Sequence, residues 1–371
     1  EPPNFLSEIE SASIEMIAGC EGWNDLCNTS GKDKKAVTMA TNGEKTALRA
    51  SRKKESQVQI VEVSPRDGLP EVCKGLSTSD QIKYINKLSE TGLTKIECAA
   101  FIHPRLMPEG YDAERLVEGI VKRPDVRYVG LTPNEIGCRR AVITQIDEVL
   151  VLLSASDVFN QVNMGRTLKE MFNKVLPAIL DTAVKHSRSV RAYIMTAFGC
   201  PYSGPVRSEE VGRLMLQLRY MGVSEIVLVD STGMGNPKTV KETIEKLLDL
   251  SPDSRLAVHF HNTRGAAIAN CVAAFEAGIR IFDTSLGGMS ATPYGVEHLN
   301  FGYWNVPTED LVHLFHDMGV STGIDLDKLL DGVRMAEKMA GQPLPGHLLR
   351  AGLASQIFDI PQHLAKPPFF D

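Results

Sequence analysis

EIVLVDSTGMGNPKTVKETIEKLLDL, residues 225–250, is the stretch whose reading decides the fold. It opens on a short β-branched run, 225–229, of the near-continuous apolar kind that marks a parallel strand buried on both faces. The run ends in Asp230-Ser231-Thr232-Gly233, and Asn236-Pro237 then gives a helix-start signal before a helical-period stretch over 240–250. One strand, one polar strand end and one helix make a single β/α unit.

The same texture recurs on both sides. Strand-length runs lie at 58–63, 93–99, 126–131, 148–153, 190–196, 256–260 and 279–284, which with 225–229 makes eight. Helix candidates lie between them, with start signals at Ser79 before Ile82, Ile85 and Leu88, at Thr167 before 168–185, and at Ser208 before 211–220. Eight units over this length predict an α/β fold, a closed (β/α)8 TIM barrel spanning 57–306. An open doubly wound sheet is the alternative. It is weakened because no strand leads into a Gly-x-Gly-x-x-Gly turn and no phosphate-cradling loop follows one. Beyond the barrel, 308–318, 326–339 and 346–357 read as helices, so 307–371 is expected to form a C-terminal helical cap. Residues 1–56 lack sustained apolar periodicity and read as an N-terminal extension with one short amphipathic helix around 5–17.

Composition narrows the function class. The 371 residues are 43% hydrophobic and 23% charged, which excludes a mainly disordered chain, and a formal charge of -6 argues against nucleic acid as a partner. No apolar run approaches the length that crosses a bilayer, so no membrane association is expected. The seven cysteines lack paired zinc-ligand spacing and point to a reducing, intracellular compartment, cytoplasmic or mitochondrial. A first residue of Glu1 in place of Met is read as a truncated N-terminus.

In such a barrel the chemistry comes from the C-terminal ends of the strands. Those ends carry Arg66-Asp67, Glu97, Asp230, His259, His261 and Asp283. His259 and His261 are two apart, which places both imidazoles on one face, and Asp67 stands on the first strand, which meets the eighth when a barrel closes. One carboxylate, two imidazoles and a neutral oxygen make a mixed donor set for Mg2+ or Mn2+, with Zn2+ the less suited ion. Arg66 reads either as a salt-bridge partner of Glu97 or Asp230, or as a guanidinium fixed where an enolate oxygen develops charge. Metal and guanidinium together suit carbon–carbon chemistry next to a carbonyl.

The motifs VEVSPRDGL (61–69), IE (96–97), LTPN (131–134), GCPYSG (199–204), AVHFHNT (257–263) and NVPTEDL (305–311) occur in an order that resembles hydroxymethylglutaryl-CoA lyases. That resemblance implies Asp67, His259, His261 and Asn305 as metal ligands, with Asn300 the competitor of Asn305. It implies Arg66 as the enolate-stabilising cation, Glu97 as its orienting partner and Asp230 as a carboxylate near the ligands or the substrate. It also implies an acyl-CoA substrate, cleavage to acetyl-CoA and a ketone or ketoacid, and a homodimer built through C-terminal elements, for which Leu311, Leu314 and Phe315 offer an apolar stripe. The chain departs from the family pattern in the loop after the eighth strand. There MSATPY (289–294) puts Thr292 where the family carries a cysteine that acts as acid and base. Glu297 and His298 stand in a bulkier insertion and are candidates for the missing proton relay. The departure keeps two further readings open: a Claisen-type acyltransferase joining an acyl-CoA to a ketoacid, and a non-catalytic homologue.

Overall fold

The computed structural model describes residues 57–108, 111–293, 296–299 and 304–353. The expected N-terminal extension with its helix around 5–17, Asn300, and the tail from 354 onward lie outside the described residues. Eight parallel strands form a closed barrel: β1 (Gln59–Glu62), β2 (Lys95–Ala100), β3 (Arg127–Leu131), β4 (Glu148–Ser154), β5 (Ser189–Met195), β6 (Glu225–Asp230), β7 (Leu256–Phe260) and β8 (Ile281–Thr284). Closure comes from the seam between β1 and β8, where Gln59 pairs with Ile281 and Glu62 with Thr284. Helices cover the outside, so the strands are buried on both faces and are apolar on the outward side.

Several helix starts follow their cap chemistry. Asn236 caps the helix Pro237–Leu250 through the Lys238 and Thr239 N–H groups, with Pro237 in the first turn, where a missing N–H costs nothing. The first large helix corrects the sequence expectation. It runs Thr78–Leu88 and is capped by Ser77, whose side chain accepts the Asp80 N–H, so Ser77 and not Ser79 starts it. The expected single helix over 168–185 is also revised. A turn at Leu168–Glu170 passes through a π-turn at Met171–Val175 into Leu176–Lys185. Pro177 has no N–H to bond one turn back, which favours a local widening of the helix just before it.

After β8 come the helices Thr308–Asp317 and Leu326–Ala340 and a single turn, Leu348–Ala351, shorter than expected and ended by Gly352 at φ 73°. Two of the three residues of the apolar stripe, Leu311 and Phe315, pack inside the chain, while Leu314 is half-buried against the same core. Leu311 and Phe315 are fully buried, and the Phe315 ring lies 5.4 Å from Phe275 and 5.1 Å from Phe282.

Two buried carboxylates bind the cap to the barrel. Glu62, the last residue of β1, accepts the N–H groups of Ser64 and Leu286 and the Thr308 hydroxyl, so one side chain joins the turn after β1, the loop after β8 and the first cap helix. Glu309 accepts the Gly287 N–H on Oε2, while Oε1 meets no donor among the described residues, and burial pushes its carboxyl up to about 8. A folded state that holds this proton where the unfolded chain has released it loses stability as pH rises from about 4.3 to the folded value. Glu309→Gln is therefore expected to melt close to the wild type at pH 4 and several degrees above it at pH 8.5. A melting difference independent of pH would show that the buried carboxyl does not govern this slope.

Candidate active site

The turn after β1 sets the first pieces. The Arg66 and Asp67 N–H groups both bond the Val63 carbonyl, folding residues 63–67 back over the barrel mouth. Gly68 follows at φ 121°, and a Cβ there would lie 2.5 Å from the Ser290 nitrogen, so only glycine lets the loop after β8 come this close. That loop in turn donates the Ala291 N–H to Asp67 Oδ1 at 3.2 Å.

Asp67, His259 and His261 are buried and offer ligand atoms all within 4.8 Å of one another. His259 sits on β7 and His261 just past it, where a short antiparallel bridge pairs it with Asn305. Asn305 donates Nδ2 to Asp67 Oδ2 at 2.9 Å and to the Met289 carbonyl at 3.0 Å. Its Oδ1 is buried with no partner among the described residues. An orphaned amide oxygen beside a carboxylate and two imidazoles fits a divalent cation, since an unpaired buried oxygen is otherwise costly. Protonation states agree. Burial pushes Asp67 up, but Arg66 and the two histidines outweigh it and hold the carboxyl below its ordinary value. Burial, with His259 beside it, pushes His261 down to about 3, which keeps its ring neutral and able to bind a metal. Ser290, which the sequence reading passed over, places its hydroxyl 3.5 Å from His261 Nδ1.

Arg66 lies next to this cluster, with Nη1 at 3.6 Å from Asp67 Oδ1. Its Nε and Nη2 both donate to Glu97 Oε2, so the salt-bridge and orienting readings of the pair describe one contact. Burial disfavours the charge of Arg66, but Glu97 and Asp67 more than offset that, and the guanidinium stays a cation. Glu97 faces inward just before a register shift in the pairing of β2 with β3.

Behind Glu97 is a layer of charge that the sequence reading missed. Arg191 on β5 is fully enclosed and reaches Glu97 Oε1 at 2.7 Å, Asp283 Oδ1 at 2.9 Å and Glu225 Oε1 at 3.0 Å. The Tyr193 hydroxyl lies 2.8 Å from Glu97 Oε1 and 2.6 Å from Asp283 Oδ2, sharing its one proton between them. Asp283 Oδ2 in turn is 3.7 Å from His259 Nδ1, the second partner that fixes a ligand imidazole. Below these, Lys95 bridges Glu148 and Glu225. The signal was present as charged or hydroxyl residues two apart within apolar runs, Lys95 with Glu97 and Arg191 with Tyr193, which a strand points into the barrel together.

Three expected residues are not members of the ligand cluster, though Thr292 directly follows the Ala291 that bonds Asp67. Asp230, pushed up to about 6 by burial, gives its two oxygens to the Met234 and Gly235 N–H groups and so fastens the loop after β6. Thr292 is held on the carboxylate of Glu71. His298 is exposed, its ring 6.4 Å from that of Tyr202.

Comparison with known proteins identifies the family of the barrel. The family model described as HMGL-like matches residues 57–335. The hydroxymethylglutaryl-CoA lyase YngG of Bacillus subtilis is 39% identical over 294 residues, covering 79% of this chain and 97% of that protein. The human mitochondrial hydroxymethylglutaryl-CoA lyase is 37% identical over 275 residues, covering 74% of this chain and 83% of its own. Among solved structures, an HMG-CoA lyase from Acinetobacter baumannii in complex with coenzyme A and 3-methylmalate superposes with a TM-score of 0.76 at 36% identity, covering 82% of this chain and 98% of that one. With its barrel, its strand-end residues and these matches taken together, the chain belongs to the HMGL-like family.

Proposed function

We propose that this protein is a divalent-metal-dependent carbon–carbon lyase that cleaves hydroxymethylglutaryl-CoA, or a closely similar 3-hydroxyacyl-CoA, to acetyl-CoA and a ketoacid. The observation that carries the reading is the meeting of Asp67, His259 and His261 within 4.8 Å, with the Arg66 guanidinium fixed beside them. The relatives named as hydroxymethylglutaryl-CoA lyases support it.

Asp67, His259, His261 and Asn305 would hold the cation, a set of two imidazoles and two oxygens for Mg2+ or Mn2+ in which the absence of thiolate argues against a structural zinc site. A cation held there would supply Lewis-acid polarisation of the substrate's oxygens. Arg66 presents its Nη1 edge to the oxygen that gains charge when the C2–C3 bond breaks. Because Glu97 already fixes it, no reorganisation is needed as that charge appears. Glu97 is oriented from behind by Arg191 and Tyr193. Asp283 stands behind His259 as a carboxylate 3.7 Å from its Nδ1.

The test is a coupled assay with Mg2+ or Mn2+, following acetoacetate and acetyl-CoA from hydroxymethylglutaryl-CoA and, separately, free thiol from acetyl-CoA mixed with ketoacids. Equal amounts of the two cleavage products without free CoA are expected. Release of CoA on condensation, with no cleavage, would replace the lyase by an acyltransferase using the same site.

A further inference from the structure

Cleavage of a 3-hydroxyacyl-CoA needs a group that takes the hydroxyl proton and later returns a proton to C2. The enclosed groups around the site are committed elsewhere. Both oxygens of Asp230 accept backbone N–H groups, and Tyr193 is locked between Glu97 and Asp283. The Ser290 hydroxyl is turned to the Ala291 carbonyl, and Cys200 is enclosed with Ser156 and the 202–203 backbone. Cys73, Cys98, Cys138 and Cys271 are buried in the apolar layer between barrel and helices.

Among the described residues, Glu297 and Glu71 are exposed carboxylates of the mouth loops, and Glu71 bonds the segment that reaches Asp67. Glu71, in the helical turn Leu69–Val72 directly after the Arg66-Asp67 turn, is exposed and bonds the loop after β8 at two points. Its Oε2 accepts the Thr292 N–H at 3.0 Å, and its Oε1 accepts the Thr292 hydroxyl at 3.3 Å. The preceding residue, Ala291, donates its N–H to Asp67, so this pair is attached directly to the ligand cluster. A hydroxyl has one proton and two lone pairs; with the proton given to Glu71, the lone pairs of Thr292 remain to accept from a substrate hydroxyl. A threonine alone is too weak a base for this, and a carboxylate behind it supplies the basicity.

Resting on the lyase reading above, we propose that Thr292 and Glu71 form the proton relay of this enzyme. Thr292 Oγ takes the proton of the C3 hydroxyl while passing its own to Glu71. The C3–O bond becomes a carbonyl, the C2–C3 bond breaks, and its electron pair enters the acetyl-CoA enolate. Glu71 then returns the proton through Thr292 to C2. No net proton is gained or lost, and no further reactant is needed.

The experiment compares Glu71→Gln, Thr292→Ala and Thr292→Cys with the wild type in the cleavage assay, across pH and with Mn2+ affinity measured in parallel. Glutamine keeps an oxygen to accept the Thr292 N–H but cannot take a proton, so loop position is preserved while basicity is lost. Expected are a loss of about 100-fold in kcat for Glu71→Gln with KM and Mn2+ affinity unchanged, and loss of the acidic limb of the kcat profile. Thr292→Ala is expected to fall by a similar factor. Thr292→Cys is expected to remain active with its pH profile displaced, because a thiol brings its own titration. A Glu71→Gln enzyme with wild-type kcat and pH profile overturns the relay while leaving the lyase standing, as does a change confined to KM. The lyase reading itself is scored on the wild type, by cleavage and by exchange of acetyl-CoA methyl protons with D2O. Absence of both removes that reading and the relay with it.

Discussion

His259→Ala is expected to weaken Mn2+ binding by more than about 100-fold and to lower kcat/KM by about 1000-fold or more. The imidazole stands 3.7 Å from Asp67 Oδ2 on one side and 3.7 Å from Asp283 on the other, so its removal takes one ligand and frees a buried carboxylate together. Titration of free Mn2+ by electron paramagnetic resonance reads the first effect, and the cleavage assay reads the second. The informative contrast is Arg66→Gln. That variant is expected to lose about 100-fold to 1000-fold in kcat while Mn2+ binding persists, because the guanidinium acts on developing charge and is not a ligand. If His259→Ala bound Mn2+ as the wild type does, the assigned ligand set would be wrong.

The largest effect on stability is expected from Arg191→Leu. It leaves Glu97, Glu225 and Asp283 in a closed interior without the cation that serves all three. Breaking a buried network from one side costs about 3–5 kcal/mol, on the order of 10 °C in Tm for a domain of this size. Arg191→Lys should recover only part of this, since one ammonium cannot reproduce a planar fork that meets three carboxylates from different strands. The deficit has a pH signature. In the wild type, burial would raise Asp283, but Arg191 and His259 hold it below its ordinary value, so its contribution to stability is present at neutral pH and lost in acid. Without the guanidinium the desolvated carboxyls prefer to be protonated, and the gap between variant and wild type should narrow towards pH 5. A gap that is constant from pH 5 to pH 8 would assign the loss to cavity formation instead of unpaired charge. Activity should fall in the same variant, because Glu97 would no longer be fixed behind Arg66.

The barrel was readable because its signal is repeated. Eight runs such as 148–153 and 225–229 need only be apolar and strand-length to be placed, and errors of one or two residues at Glu148–Ser154 or Ser189–Met195 do not change the topology. The mouth was readable for a different reason. Asp67, His259 and His261 sit at the ends of such runs, where a polar residue is conspicuous, and Asn305 follows from the family motif around it. Arg191, Glu225 and Lys95 were overlooked because inside a strand each is a single polar residue, and nothing local says that three strands bring their charges to one layer. Glu71 was overlooked because its partner, Thr292, is 221 positions away. The helix 168–185 was read as continuous because hydrophobic period alone does not weigh the N–H missing from Pro177.

The seam between β1 and β8 bears on how the protein is made. Asp67 meets Asn305 across 238 positions and Glu62 meets Leu286 across 224, so the contacts that build the site are among the longest-range in the chain. During synthesis at about 5–20 residues per second, the first strand waits on the order of ten seconds or more for the last. Throughout that interval β1 presents an open edge to its surroundings. A nascent chain paused after β7 would hold both histidines and the aspartate yet have no closed barrel in which to bring them together. Ring closure is therefore the step at which a helper protein, or a slow stretch of codons, would have the greatest influence on the yield of active enzyme.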